Sequence, residues 1–220
     1  MDLPILYADP HYVVLNKPAG LKVHAGPGGG PSVEDGLKAL SRRKDGPWLA
    51  HRLDADTSGC LLVALRKQAL LKAQADFAAG RVEKVYWAVV AGGPDQDSGG
   101  ISAPLEKITT RDGWRMAVTP KGQDAETEWR VLGRGAGMTW LALTPHTGRT
   151  HQLRVHCAQA GWPILGDALY GHAGGGLHLM SRALALPGTE VRAEAPPPGH
   201  IVGALTNCGW VDVYPSLRGA

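Results

Sequence analysis

The sequence predicts an α/β (α+β) fold, a mixed and largely antiparallel sheet flanked by helices and loops. Three observations carry this. Apolar runs of strand length recur along the chain, among them CLLVAL at 60–65 and VYWAVV at 85–90. Three strand-like runs, WRMAV, AETEWRVLG and MTWLALT, follow one another with only turn residues between them, as antiparallel neighbours do. Two segments of helical composition, 66–79 and 149–159, stand among the strands.

Each element has a local reason. Residues 12–15 read as a short strand stopped by the turn signal NKPAG, and GPGGGP at 26–31 is a loop. Ser32 opens S-V-E-D, a capping-box-like start for a helix to about Arg43. The helix at 66–79 is rich in Ala, Leu and Lys and ends at Gly80. In the strand KVYWAVVAG, Val85, Trp87 and Val89 share one face while Tyr86, Ala88 and Val90 share the other. Residues 95–113 read as loop-rich. In the helix at 149–159, Leu153, Cys157 and Ala160 fall on the apolar side, and His151 and Arg154, three apart, share another face. A loop, GWPILGDALYG, leads to the strand LHLMSRALAL, with GHAGGG as a flexible connection. The prolines of AEAPPPGH impose an extended stretch before a short final element. With no internal repeat or evident linker, one domain over 1–220 is expected.

Composition narrows the function classes. The chain has 220 residues, 44% hydrophobic and 20% charged, and a formal net charge of +3. Its longest apolar runs fall short of the ~18 residues that span a bilayer, and the N-terminus lacks the features of a secretory signal. A soluble, cytoplasmic protein is expected, with no membrane association. The three cysteines form no Cys-x-x-Cys pair, so neither a disulfide framework nor a cysteine zinc site is supported. Lys38, Arg42, Arg43, Lys44 and Arg52 cluster, as do Arg66, Lys67, Lys72, Arg81 and Lys84. Such clusters suit a phosphate-binding face, but on charge alone a solvated surface is favoured.

Several residues invite chemistry. His146, His151 and His156 lie five apart, not at the four-residue spacing of a helical zinc pair, so capping and packing roles lead. His51, Asp54 and Ser58 resemble a triad in composition only, since triad members come from separate loops and no G-x-S-x-G elbow exists. The stretch HRLDADTSG at 51–59 offers two carboxylates, Asp54 and Asp56, at the mouth of a buried strand. Taken alone, it reads equally as a turn whose Asp, Thr and Ser satisfy backbone groups.

In its wider company, HRLDADTSGCLLVA resembles the core signature of the RluA family of RNA pseudouridine synthases. The resemblance extends to VVLNKPAGLKVH, EKVYWAVVAG and TGRTHQLRVHCAQAGWPILGDALYG, in the family's order, from about Leu6 to Pro198. Cys60 departs from the family's usual aliphatic residue. The chain is also expected to start directly with the catalytic domain, without the N-terminal RNA-binding domain of many relatives.

The resemblance implies the pseudouridine synthase fold, isomerisation of specific uridines in RNA, and no cofactor or metal. It places the catalytic carboxylate at Asp54, with Asp56 a bystander. Arg154 is its guanidinium partner, expected to hold it bidentately, and Tyr86 is the tyrosine that stacks on the flipped uracil. Arg52 matches the arginine that fills the RNA stack where the uridine left. Arg149 and His151 are expected to contact RNA. The implied partner is a large-subunit ribosomal RNA or a tRNA stem-loop, bound by a monomer.

Overall fold

The computed structural model describes residues 3–26, 28–111 and 113–212. Pro27 of the GPGGGP run and Asp112 of the 95–113 stretch lie outside the described residues.

The element that organises the molecule is the strand Ser58–Ala64, β4, in which all seven residues are buried. A run with no polar alternation needs neighbours on both edges and cover on both faces, and β4 has both. On one edge it pairs antiparallel with β2 (Tyr12–Lys17), whose outer neighbour is β1 (Ile5–Ala8). Short β3 (Trp48–Leu49) also pairs with it. On the other edge lies β11 (Leu179–Ala185), parallel to β4 through Met180↔Ser58 and Ser181↔Gly59. The sheet then continues antiparallel through β5 (Glu83–Ala91), β10 (Met138–Pro145), β9 (Glu126–Gly135) and β6 (Ser98–Ser102), while β12 (Arg192–Glu194) pairs with β11. A separate hairpin is made by β7 (Leu105–Thr110) and β8 (Gly113–Val118). The expected mixed, largely antiparallel sheet is the one observed.

Side-chain alternation gives the sheet two faces. One carries Val14, Cys60, Leu62, Val89 and Met180 under α2 (Lys67–Ala78) and α4 (Gly199–Asn207). The other carries two apolar clusters. Val13, Leu15, Leu61 and Val63 pack with α1 (Glu34–Leu37), whereas Ala88, Val90, Leu141 and Leu143 pack with α3 (Gln152–Gln159). Tyr86, on this second face as its alternation requires, touches both clusters and marks the seam between them.

Three elements depart from expectation. The helix expected from Ser32 to about Arg43 is a single turn followed by a 3-10 turn at Lys38–Leu40. Asp35 accepts the Ser32 N–H at 2.8 Å and ties down the start of the turn, although Val33, the cap residue, makes no side-chain capping bond. Beyond Leu40, however, SRRKD offers nothing apolar to bury, and a helix without a buried stripe is marginal. The 95–113 stretch holds two strands, β6 and β7. Gly99 of β6 lies against the Trp129 ring, where a Cβ would sit 2.5 Å from a ring carbon, so glycine there reflects packing. The helix expected from 149 begins at Gln152, because His151 has φ 53°, a left-handed conformation that a helix cannot contain.

Candidate active site

Asp54 lies in the turn that carries the chain from β3 into β4, where its carbonyl accepts the Thr57 N–H at 3.2 Å. The turn is fastened from below by Lys17, the last residue of β2. Lys17 is fully buried, and its ammonium donates to the carbonyls of Pro18, Leu21 and Ala55 at 2.8, 2.8 and 2.7 Å. Burial pulls its pKa down to about 8, against the pull of Asp56 and Asp54. The Ala55 carbonyl also accepts the Gly20 N–H at 2.9 Å. With Ala55 held from one side, its neighbours diverge: Asp56 is exposed, while the Asp54 side chain is only 27% exposed. Gly59 lets β4 leave the turn beside β11. At φ 104°, its Cβ would fall 2.1 Å from the Ser181 carbonyl oxygen, so no other residue fits.

Arg154 rises from α3 toward Asp54, but its fork is taken by another carboxylate. Nε and Nη2 donate to the two oxygens of buried Asp167 at 2.8 and 2.7 Å, and Nη1 stands 4.0 Å from Asp54 Oδ2. The bidentate pair expected on Asp54 therefore falls on Asp167. Burial alone would raise the Asp167 carboxyl, yet the Arg154 charge and the N–H groups of Leu169 and Tyr170 hold it below the ordinary range. Burial likewise opposes the Arg154 charge, and the carboxylates of Asp167 and Asp54 outweigh it, leaving the guanidinium pKa raised.

His151 completes the surroundings of Asp54, with Nε2 3.9 Å from the same Oδ2. Its Nδ1 meets the Tyr170 hydroxyl at 2.8 Å, and its ring stacks on Trp114 of β8 at 5.3 Å. Burial holds its pKa below the ordinary imidazole value against the pull of Asp54, with Arg154 and Arg52 adding to the depression. The other two histidines of the run go elsewhere: His146 pairs with Glu128 at 3.1 Å, and buried His156 meets Thr127 and the Ala103 carbonyl. His51 is half-buried at the cavity wall, its Nε2 accepting the Leu62 N–H while its ring stacks on Phe77.

Tyr86 faces Asp54 from β5. Its hydroxyl is hydrogen-bonded to Ser181, and burial pushes its phenol up, so it stays neutral. Asp54, Tyr86, Arg154, Arg52, Arg149 and His151 all line one cavity of about 500 Å³. Arg52, at the rim, donates to Thr150 Oγ1 at 2.7 Å, and Arg149 donates to the Asp124 carbonyl at 3.0 Å. On its other side Asp54 opens onto a groove of about 1590 Å³ between the loop after β2 and the β7–β8 hairpin. Lys22, Arg52, Lys107, Lys121 and Arg149 line that groove, against the carboxylates of Asp54, Asp56 and Glu106. Sequence reasoning misses Asp167 and Tyr170; both stand in GDALYG, inside the matching block, whose composition indicates only a loop.

A carboxylate set between a small cavity and a long, mainly basic groove suits an enzyme acting on one unit of an extended polyanion. Comparison with known proteins gives that class its name. Residues 11–159 match the family model described as RNA pseudouridylate synthase. The chain is 41% identical over 204 residues to an uncharacterized RNA pseudouridine synthase of Zymomonas mobilis, covering 88% of this chain and 93% of the relative. It is 41% identical over 209 residues to the ribosomal large subunit pseudouridine synthase C of Escherichia coli K12, covering 87% of this chain and 66% of that protein. Among solved structures, human RNA pseudouridylate synthase domain containing 4 superposes with a TM-score of 0.78 at 29% identity, covering 93% of this chain and 92% of the human one. The chain belongs to the RNA pseudouridylate synthase family, isomerases that convert uridine to pseudouridine within RNA. Among the described residues, no helix is long and apolar enough to cross a membrane.

Proposed function

We propose that this enzyme isomerises a uridine of large-subunit ribosomal RNA, with Asp54 as the catalytic carboxylate acting on a nucleotide extruded into the cavity that Tyr86 lines. The observation that carries the reading is the convergence of Asp54, Tyr86 and Arg154 on one nucleoside-sized space beside a basic groove. The reaction breaks the bond between ribose C1′ and uracil N1, turns the base and rejoins it through C5. It transfers nothing to or from an outside group. Asp54 assists departure of the base, by attack on the sugar or by removing a sugar proton. Extrusion costs a few kcal/mol, and stacking of the freed base on Tyr86 offsets roughly 1–3 kcal/mol of it. The ribosomal substrate is supported by the likeness to the ribosomal large subunit pseudouridine synthase C of Escherichia coli.

Pseudouridine mapping of total RNA from cells with and without the gene tests the substrate, and Asp54→Asn tests the site. The expected result is loss of one or more large-subunit sites and a variant that binds RNA without turnover. Losses confined to tRNA would move the substrate there. Turnover by Asp54→Asn would remove Asp54 from the chemistry.

A further inference from the structure

Resting on that reading of Asp54, we propose that His151 is a positioning residue for it, held by Tyr170 as the tautomer that presents an Nε2–H to the carboxylate. The hydrogens around Tyr170 select the tautomer. Tyr170 Oη accepts the Met116 N–H at 3.0 Å and meets His151 Nδ1 at 2.8 Å. If Nδ1 carried the imidazole proton, the phenol oxygen would face two donors, and its own hydrogen would have no acceptor among the described residues. With Nδ1 as acceptor, the phenol hydrogen has a partner and the phenol oxygen meets a single donor. A neutral imidazole that accepts at Nδ1 carries its hydrogen on Nε2, and Nε2 is the atom 3.9 Å from Asp54 Oδ2.

Ring contacts favour this arrangement. Trp114 stacks on it at 23° between planes, Tyr170 meets it edge-on at 78°, and the Lys107 ammonium lies 4.5 Å over the Trp114 ring. Tyr170 is itself fixed, since Asp167 accepts its N–H at 3.1 Å and the Arg154 guanidinium lies 5.2 Å over its ring. The backbone of His151 is left-handed at φ 53°, a conformation that costs free energy and persists only where surroundings enforce it.

His151 and Arg154 thus address one oxygen of Asp54 from 3.9 and 4.0 Å. Both are beyond hydrogen-bond length, so the carboxylate is steered without being locked, and such contacts tighten when substrate closes the site. Oδ2 becomes the held oxygen and Oδ1 the working one.

The tautomer is read directly from the ¹⁵N shifts of labelled protein without RNA. The expected result is an Nε2–H form for His151 in the wild type and a mixture in Tyr170→Phe. An Nδ1–H form in the wild type overturns the proposal. Two substitutions supply the kinetic arm. His151→Asn suits the left-handed backbone but is too short to reach Asp54, whereas His151→Gln restores an N–H near the position of Nε2. The single-turnover rate of the Asn variant is expected to fall about 10–100-fold at unchanged RNA affinity, with a clear recovery in the Gln variant. Wild-type rates in the Asn variant, no recovery with Gln, or a loss that follows RNA affinity would each overturn it. The tautomer measurement does not involve turnover, so failure of the Asp54 assignment is distinguishable from failure of this one.

Discussion

Arg154 gives two arms of its fork to Asp167, at 2.8 and 2.7 Å, and only its remaining nitrogen approaches Asp54, at 4.0 Å. The buried guanidinium therefore has a permanent partner, and Asp54 feels its charge without being captured. Asp167→Asn is expected to leave that charge uncompensated, at a cost of about 3–5 kcal/mol of stability. It also frees Arg154 to seize Asp54, so turnover falls in the fraction that folds. Urea unfolding and single-turnover assays read the two effects. Unchanged stability and rate would show that Asp167 does not place Arg154.

Arg52 stands exposed at the junction of the cavity and the groove, tied to Thr150 by a single 2.7 Å hydrogen bond. If it fills the gap left by an extruded uridine, Arg52→Ala should lower kcat/KM on a structured stem-loop by roughly 10-fold or more, in line with the few kcal/mol of unstacking. The deficit should shrink when the target uridine is already unpaired. An equal deficit on both substrates, with a salt slope reduced by about 1, would make it a phosphate contact instead.

Lys84 lines the cavity two residues before Tyr86, on the same side of β5, and burial lowers its pKa. Among the described residues, no carboxylate comes within ion-pair distance of it. Its ammonium lies 6.0 Å over the Phe77 ring, partly desolvated and placed for a phosphate of the bound strand. Lys84→Met should weaken RNA binding and reduce its salt dependence while leaving the fold at least as stable. Filter binding at several salt concentrations checks this, and an unaltered slope would contradict it.

His51 makes a pH prediction. Burial first, and the Lys84 charge second, depress its pKa from 6.5 to about 3. Between those values the unfolded chain binds a proton that the folded chain refuses, so stability is full above about 6.5 and drains as pH falls toward 3. His51→Gln keeps an acceptor for the Leu62 N–H but does not titrate. Its stability should decline less steeply than the wild type's between pH 6.5 and 4 in urea titrations. Parallel declines would place the acid sensitivity elsewhere.

What the sequence revealed followed from local pattern. The period of two in KVYWAVVAG put Tyr86 on its correct face, and the apolar run after HRLDADTSG marked β4. What it hid depended on contacts across the fold. SGGIS has too many glycines to read as a strand, yet it pairs with β9 because Trp129 lies over Gly99. Asp167 and Tyr170 sit in a turn, and nothing local tells that one takes the fork of Arg154 and the other the Nδ1 of His151. The kink at His151 was equally silent, since the residues 149–159 have unbroken helical composition while only the folded site asks for φ 53°.

The parallel pairing of Ser58 and Gly59 with Met180 and Ser181 has a consequence for how the enzyme is made. Synthesis proceeds at ~5–20 residues per second, so Asp54 leaves the ribosome several seconds before the strand that braces its turn. In the folded protein β11 lies between β4 and β5. A chain cut before β11 would keep Asp54, Tyr86, His151 and Arg154 but lose the strand that joins β4 to β5.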